Sequence, residues 1–361
     1  MRVKLEDVCE RGSSNLKQSD VIDKTGKYPI YGATGYLGNV DFYHQEKPYV
    51  AVVKDGAGIG RTTLHPSKSS VIGTMQYLLP KKNILPEYLC YVVRYMHLEK
   101  YFTGATIPHI YFKDYKNEEF NLDTLDRQIE IVGILKKVED IIEFRRQELE
   151  KLDELIKARF VELFGDMTLN PNGWEVVSLG SVCDVRDGTH DSPKYFTDGY
   201  PLVTSKNVTS GKIDFTDCSL ICEEDYNKIS ERSKVDYGDI LMPMIGTVGK
   251  PVIVDVDAEF AIKNVALIKF YEDSRVTNIF VKALLQSDYF DRAVISRIRG
   301  GTQKFIALGD IRKLEICLPP MEVQKQFADF VEQVNKSKVV VQKALDEAQL
   351  LFDSLMQKYF G

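Results

Sequence analysis

The sequence predicts two similar α/β (α+β) globular domains separated by two long helices that pair as an antiparallel coiled coil. Two observations predict this fold. Residues 124–165 carry apolar side chains at alternating steps of three and four, the heptad spacing of a helix that packs against another helix. The same pattern returns over residues 320–361, so the chain contains an internal repeat with pseudo-two-fold symmetry.

The two long helices carry their heptad pattern in one register. In the first copy its positions, here called the seam, are Leu135, Val138, Ile142, Arg145, Leu149, Leu152, Ile156, Arg159 and Leu163. In the second copy they are Val331, Val334, Lys338, Val341, Leu345, Ala348, Phe352, Leu355 and Tyr359, each 196 positions later (331 − 135 = 196). Because both helices have an apolar stripe at matching positions, we expect them to bury the stripes against each other.

The remaining residues form two globules that share one plan. We divide the chain into a first globule (1–123), the first long helix (124–165), a linker with the second globule (166–319) and the second long helix (320–361). In the first globule, β-type runs at 49–53, 62–64 and 77–79 precede a helix that follows Pro86. In the second, strand, glycine turn, strand and helix return at 240–245, 246–249, 252–256 and 278–285. A glycine segment precedes each long helix, at 104–110 and 300–306.

The composition bounds the class of protein. With 361 residues, 44% hydrophobic and 28% charged, the chain is long enough for two or three ordinary globular domains. Its charged start and the lack of a long apolar run predict a cytoplasmic location. The six cysteines form no C-x-x-C pair, which is typical of free thiols in a reducing compartment. The net charge of −6 excludes nucleic-acid binding through bulk charge, so any such binding requires local patches.

The sequence contains no pattern that predicts catalysis. Residues 56–61 lack the G-x-G-x-x-G spacing and lead into a strand, and residues 246–250 lack the spacing of a phosphate-binding loop, so both are predicted hairpin turns. The five histidines show no metal-ligand spacing. Motifs of a magnesium nuclease and of base amino-methylation are also absent from the sequence. We therefore predict a protein that is not an enzyme and binds no metal.

Three segments resemble the specificity subunits of Type I restriction-modification systems. Residues 318–324 (Leu-Pro-Pro-Met-Glu-Val-Gln), before a seam that ends in Phe-Gly, resemble the helix entry of that family; the first copy, residues 122–128, lacks the prolines. Residues 187–193 and 201–207 resemble a stretch of the family's target-recognition domains. The resemblance extends over the whole chain.

This resemblance implies a non-catalytic subunit that gives a methyltransferase/endonuclease complex its DNA specificity. Each globule would be a target-recognition domain that reads one half of a bipartite site in double-stranded DNA. The helices would set the spacing and dock two modification (methyltransferase) subunits, with restriction (translocase/nuclease) subunits also in the complex. S-adenosylmethionine, ATP and Mg are expected on those partner subunits and not on this chain. The alternative is a DNA-free coiled-coil scaffold with two protein-binding globules, which the acidic net charge favours.

Candidate DNA contacts follow from polar and basic residue types beside flexible turns and strand ends. In the first globule they are Lys54, Arg61, Thr106, His109 and Lys113. In the second globule they are Lys206, Asn207, Lys250, Arg297, Arg299, Gln303 and Lys304. The charged seam residues Arg145, Arg159 and Lys338 are expected either to extend their charged ends to solvent or to mark where a partner subunit docks.

Overall fold

The structure is a computed structural model that describes residues 1–22, 24–103, 108–208, 211–244, 250–297 and 305–361, with the backbone alone at Arg297. The chain forms two compact units. The first unit comprises Met1–Gln147 and Gln342–Gly361, and the second comprises Glu148–Val341. Each unit therefore contains one globule and part of both long helices.

The units differ from the predicted division of the chain, which treated each long helix as a separate segment. The reason is that each part of a long helix packs on the globule of its own unit. Ile131 and Leu135 belong to the core of the first globule, whereas Phe160 and Phe164 belong to the core of the second.

The first globule consists mainly of short strands. Its strands are β1 (Arg2–Lys4), β2 (Cys9–Ser13), β3 (Tyr28–Gly32), β4 (Gly35–Val40), β5 (Tyr49–Val53), β6 (Thr62–His65), β7 (Ser70–Val71), β8 (Met75–Pro80) and β9 (Glu119–Asn121). Its helices are α1 (Leu5–Val8), α2 (Pro86–Tyr95) and α3 (Phe112–Tyr115), with 3₁₀ turns at Gln18–Asp20 and Leu98–Tyr101. The first long helix, α4 (Leu125–Phe164), follows.

The second globule repeats this order of elements. Its strands are β10 (Val176–Ser178), β11 (Asp184–Asp187), β12 (Tyr200–Thr204), β13 (Ser219–Ile221), β14 (Ile240–Pro243), β15 (Val252–Ile253), β16 (Ala261–Lys263), β17 (Val265–Lys269) and β18 (Glu315–Cys317). Its helices are α5 (Leu179–Val182), α6 (Glu223–Ser233), α7 (Asn278–Leu285), α8 (Asp288–Ala293) and α9 (Leu308–Arg312), with 3₁₀ turns at Ser205–Val208 and Ile295–Arg297. The second long helix is α10 (Met321–Phe360).

The sheet topology confirms the internal repeat. Each globule has a four-stranded antiparallel sheet, in the order β2-β8-β5-β6 in the first and β11-β17-β14-β15 in the second. Each also has a three-stranded sheet whose central strand, β3 or β12, pairs antiparallel with one neighbour and parallel with the other. A two-stranded sheet, β1-β9 or β10-β18, precedes each long helix. The two globules therefore share one fold, as the sequence predicts.

Helix α6 is the main difference between the two globules. It packs on the three-stranded sheet of the second globule, where the Tyr226 ring stacks on Tyr200 with centroids 4.1 Å apart. In the first globule the connection between β4 and β5, residues 41–48, contains no helix. The repeat is thus closest in the sheets and the long helices, and the connection after the small sheet differs.

The long helices pair antiparallel in each unit. In the first unit, Leu135 shares a cluster with Met356 and Phe360, while Val138 and Ile142 share one with Ala348. The order of contacts along α10 is therefore the reverse of the order along α4. In the second unit, Phe160 packs on Phe327 with ring centroids 5.6 Å apart. These contacts confirm the predicted coiled coil and the predicted role of the seam.

The charged seam residues are accommodated along this helix pair. In the second unit, Lys338 Nζ lies 2.6 Å from Asp153 Oδ1 on the opposite helix, and the Arg159 guanidinium lies 5.6 Å from the Phe330 ring centroid. In the first unit, the Arg145 guanidinium lies 5.7 Å from the ring of Phe144. The side chains of Lys338 and Arg159 are only 30% and 25% exposed, and their charged ends contact groups of the helix pair. Both predicted alternatives for these positions stay predictions.

A buried glutamine fixes the start of each long helix. Gln128 Oε1 accepts a hydrogen bond from Leu85 N (2.9 Å), and its Nε2 donates to Asn83 O (3.0 Å) and Asp123 O (2.9 Å). Gln324, 196 positions later, makes the same three bonds with Thr277 N (2.8 Å), Arg275 O (2.9 Å) and Pro319 O (2.9 Å). Both side chains are fully buried. The glutamine of the helix-entry motif therefore ties each long helix to the start of α2 or α7.

Replacing Gln324 with alanine is expected to lower the free energy of unfolding. The change leaves one N–H and two carbonyl groups unpaired in a buried position, which corresponds to a loss of about 2 to 4 kcal/mol. Urea unfolding measures the loss, and Gln333→Ala is the matched control because Gln333 is exposed on the same helix. Equal effects of the two substitutions would contradict this account of the helix entry.

Candidate nucleic-acid interface

In the first unit, the hairpin turn after β5 meets the end of the first glycine segment. Gly56 N donates to Pro108 O (3.0 Å), and Ile110 N donates to Lys54 O (2.9 Å). The turn itself is closed by a bond from Gly60 N to Val53 O (2.9 Å). Two stretches that the sequence separates by about fifty residues therefore form one surface, which carries several of the predicted DNA contacts.

The side chains on this surface form a compact group, here called the Tyr111 cluster: Lys54, Asp55, His109, Tyr111 and Lys113. His109 Nδ1 lies 2.7 Å from Asp55 Oδ1, and Lys54 Nζ lies 3.7 Å from Asp55 Oδ2. The His109 ring stacks on Tyr111, and Lys113 Nζ lies 5.3 Å from the Tyr111 ring centroid. Tyr111 is half exposed. Cations beside exposed aromatic rings provide both phosphate contacts and surfaces on which bases stack.

Arg61 lies beside the same hairpin turn. Its side chain is exposed, and it lies over the backbone of Gly58, where an added Cβ would come within 2.2 Å of the guanidinium. Gly58 has a φ of +83°, so this turn requires glycine for its backbone conformation as well. Thr106, the remaining prediction in this globule, lies outside the described residues.

The second unit repeats the backbone pairing of this surface. Ile306 N donates to Met244 O (3.0 Å), as Ile110 N does to Lys54 O. Lys250 is exposed shortly before β15, in the place that Arg61 holds before β6. Arg299, Gln303 and Lys304 lie outside the described residues, as does the side chain of Arg297. Their predicted DNA contacts, like that of Lys250, stay predictions.

The side chain of Asn207, which was predicted to bind a base, bonds within the fold. Its side chain is only 7% exposed, and its Oδ1 accepts hydrogen bonds from Thr204 N and Oγ1, both 2.9 Å away. Its Nδ2 donates to Asp214 O (3.1 Å). The amide thus closes the turn after β12, and we omit it from the proposed interface. Its neighbour Lys206 is exposed.

The structure brings together a second group that the sequence did not reveal, here called the His190 cluster: Asp187, His190, Arg232 and Asn264. His190 Nε2 lies 2.9 Å from Asp187 Oδ2, and its Nδ1 lies 2.8 Å from Asn264 Oδ1. The Arg232 guanidinium pairs with the other oxygen of the buried Asp187 carboxylate. The motif at 187–193 signalled two of these residues, but Arg232 and Asn264 come from distant parts of the chain. Ser205 Oγ also bonds Asn264 O (3.2 Å), which places Lys206 beside this cluster.

The His190 cluster predicts a pH-dependent contribution to stability. Hydrogen bonds with Asn264 and then Asp187 raise the pKa of His190 above its ordinary value. A raised pKa in the folded state means that the contribution is complete below about pH 6.5, the unfolded value, and is lost as pH rises through the folded pKa. In urea unfolding, we expect His190→Gln to cost most stability at pH 5.5 and least at pH 8.5. A difference that does not change with pH would contradict this.

The long helices carry a second duplicated surface feature. In the first unit, the apolar side chains of Phe144 and Leu351 are 60% and 51% exposed. In the second unit, the repeat-related Val340 and Leu155 are 69% and 46% exposed (340 − 144 = 196; 351 − 155 = 196). An isolated exposed apolar residue is normal, but here the same two helix positions carry exposed apolar residues in both units.

No described helix is both long enough and apolar enough to cross a membrane. Across the same residues, no three His, Cys, Asp or Glu side chains are placed to hold a metal ion.

A solved S subunit of a Type I restriction-modification system has a similar fold. The crystal structure of the Type-I restriction-modification system S subunit from M. genitalium matches with a TM-score of 0.61 at 15% identity, over 100% of this chain and 96% of that chain. The chain therefore shares the fold of that S subunit.

The family follows from sequence comparison. The family model of the Type I restriction modification DNA specificity domain matches residues 1–154 and again 171–348. The chain therefore belongs to this family, and its role is to provide DNA specificity. Among its relatives, the Type I restriction enzyme MjaVIII specificity subunit of Methanocaldococcus jannaschii is 26% identical over 79% of this chain and 72% of the relative. The MjaIX specificity subunit of the same organism is 24% identical over 78% of this chain and 69% of the relative.

Proposed function

We propose that each globule reads one half of a bipartite site in double-stranded DNA, while the helix pair sets the spacing between the halves. The observation that carries this proposal is the duplicated fold, in which the same three sheets and the same buried glutamine occur once in each unit. Two modules of one fold with different surface residues suit two short DNA sequences that differ. A palindromic site would instead need identical reading residues.

The Tyr111 cluster, with Arg61, supports DNA contact in the first unit. Lys54, Lys113 and Arg61 contribute positive charge beside the half-exposed Tyr111 ring, and this local patch overcomes the objection from the net charge of −6. In the second unit we propose the same role for Lys206, Lys250, Arg297, Arg299, Gln303 and Lys304. Lys206 is supported by its exposed place beside the His190 cluster, and Lys250 by its place before β15, which matches that of Arg61 before β6. The other four are proposed from their position in the sequence, in or just before the second glycine segment.

We further propose that two modification subunits dock on the helix pair, one on each unit. The repeated pair of exposed apolar residues, Phe144 with Leu351 and Val340 with Leu155, supports two equivalent docking sites.

S-adenosylmethionine belongs on the modification subunits, and ATP and Mg on the complex's restriction subunits. The purified chain alone is then expected neither to bind S-adenosylmethionine nor to methylate DNA. We also propose a cytoplasmic location for the complex.

DNA binding by the purified chain with its modification subunit tests this function. We expect sequence-specific binding to long duplex DNA whose affinity falls steeply as salt rises, because basic side chains displace counterions from phosphates. Substituting Lys54 and Lys113 with alanine together is expected to reduce the salt slope, whereas Lys116→Ala, on the neighbouring surface and paired with Glu6, is the control. The alternative, a DNA-free scaffold favoured by the net charge, predicts no binding at any salt concentration.

A further inference from the structure

The repeat places two chemically different residues at one equivalent position. His109 precedes Ile110, whose N–H donates to Lys54 O immediately after β5. Phe305 precedes Ile306, whose N–H donates to Met244 O immediately after β14. The two residues are also 196 positions apart (305 − 109 = 196), the offset of the long helices. His109 and Phe305 therefore occupy the same place on the two globules.

His109 is held in a fixed orientation. Its backbone N–H and carbonyl both bond Thr103, at 2.8 Å each, and its Nδ1 bonds Asp55 Oδ1 at 2.7 Å. Since Nδ1 faces a carboxylate, it carries a proton, and the remaining ring nitrogen, Nε2, is the one left for a ligand. Within the described residues Nε2 has no hydrogen-bond partner, and the side chain is 37% exposed. A side chain fixed before binding loses little entropy when it contacts a base.

Phe305 offers only an apolar surface at the equivalent place. Its side chain is 48% exposed and is therefore accessible to a ligand. In the major groove an apolar side chain recognises the methyl group of thymine, whereas a histidine nitrogen recognises a base edge through a hydrogen bond. The two chemistries select different bases.

We propose that positions 109 and 305 are one specificity-determining position, read by a hydrogen bond in the half-site of the first globule and by contact with a thymine methyl group in the half-site of the second. This proposal rests on the proposed function, since it assumes that each globule reads one half-site. Asp55 acts as a positioning residue because its carboxylate holds the His109 ring in place and does not itself contact the base. The two half-sites then differ in base sequence at this position because the residues that read them differ.

Reciprocal substitution in the complete chain, assembled with its modification subunits, tests the proposal. Methylation of a DNA library randomised over both half-sites is measured for His109→Phe and for Phe305→His. His109→Phe is expected to change the base preference at one position of one half-site by roughly tenfold, and Phe305→His to remove a thymine preference at one position of the other. The other positions of each half-site are expected to keep their preferences.

Three further variants make the result decisive. His109→Asn, which introduces less apolar surface and serves if His109→Phe fails to fold, is expected to relax the same position. His97→Asn is its matched control, because His97 is also paired with a carboxylate, that of Glu99 at 3.2 Å, and lies in the left-handed region that asparagine tolerates. Asp55→Asn is expected to slow methylation of the preferred sequence at least severalfold without changing which base is preferred.

Unchanged base preferences in folded His109→Phe, His109→Asn and Phe305→His complexes that still methylate a bipartite site would overturn this proposal and leave the proposed function standing. Failure of the proposed function has a different signature: the wild-type complex would methylate no bipartite sequence.

Discussion

Inserting one heptad into both long helices is expected to lengthen the gap between the two half-sites while leaving the half-sites unchanged. The insertions belong between Gln147 and Glu148 in α4 and between Val341 and Gln342 in α10, where the two units divide both helices. Seven residues add about 10 Å of helix, which corresponds to at most about three base pairs. Because the seam repeats every seven residues, the insertion preserves its register and each helix part keeps its contacts with its own globule.

The spacing of methylated bases, read by sequencing DNA from a host that carries the variant system, measures this effect. A matched control inserts seven residues into the exposed connection between Asn172 and Gly173, which lies outside both helices. The control is expected to keep the original gap. If the double insertion leaves the gap unchanged in a complex that still methylates DNA, the helices do not set the spacing.

A fragment that ends at Gly165 is expected to dimerise and, with modification subunits, to methylate an inverted repeat of the first half-site. In the complete chain, Met356 and Phe360 fill the core of the first unit, where the Phe360 ring lies 5.3 Å from that of Tyr88. The fragment lacks both residues but retains their repeat-related counterparts, Phe160 and Phe164 (356 − 160 = 196; 360 − 164 = 196). A second copy therefore supplies side chains of the right type at the right heptad positions.

Pairing is strongly favoured because the alternative leaves the apolar stripe of α4 in water, at about 25 cal/mol per Å². A closed pair of identical fragments is two-fold symmetric, so its two globules read the same sequence on opposite strands. Arg145 and Arg159 place additional charge in the homodimer seam and reduce its affinity. Sedimentation measures the association, and Phe164→Ala in the fragment is expected to weaken it by about 3 kcal/mol or more.

A fragment that remains monomeric at high concentration would show that the two copies of the seam are not equivalent. A dimer whose complex methylates a sequence without two-fold symmetry would contradict the equivalence of the globules. Either result would show that the two copies, although similar in sequence, are not equivalent in function.

The long helices were predictable because their signal is local and periodic. The bounds of α4, Leu125–Phe164, and α10, Met321–Phe360, differ by 196 at both ends, as the repeated pattern indicates. The strand Tyr49–Val53 and the helix Asn278–Leu285 also match the predicted runs, since each has a strong apolar pattern and a clear boundary. Such elements depend on neighbours in sequence, and sequence patterns report them well.

The small sheets were harder to predict because their strands have weak patterns. Strand β3 contains Pro29 and Gly32, and its partner β7 has only two residues, Ser70 and Val71. Their parallel pairing depends on packing between distant segments, not on the local spacing of apolar residues. The division of both long helices between two units depends likewise on contacts with the globules.

The candidate site shows the same limit. Residue type marked Lys54, His109 and Lys113 as candidate DNA contacts, but only the backbone bonds between the hairpin turn and residues 108–110 show that they meet. Residue type alone did not show that the Asn207 side chain bonds within the fold. Its amide could equally face DNA or the protein, and here its partners are Thr204 and Asp214. The His190 cluster was missed since Asn264 lies 74 positions from His190 in sequence.

Methylome sequencing of a host that carries this chain and its modification subunit shows whether the two globules read two different half-sites. We expect methylation in one motif made of two different short specific sequences separated by a gap of fixed length and unspecified sequence. Deleting this chain while retaining the modification subunit is expected to abolish that motif. A contiguous motif, a palindromic one, or a motif that persists without this chain would contradict the claim that its two globules each read half of a bipartite site.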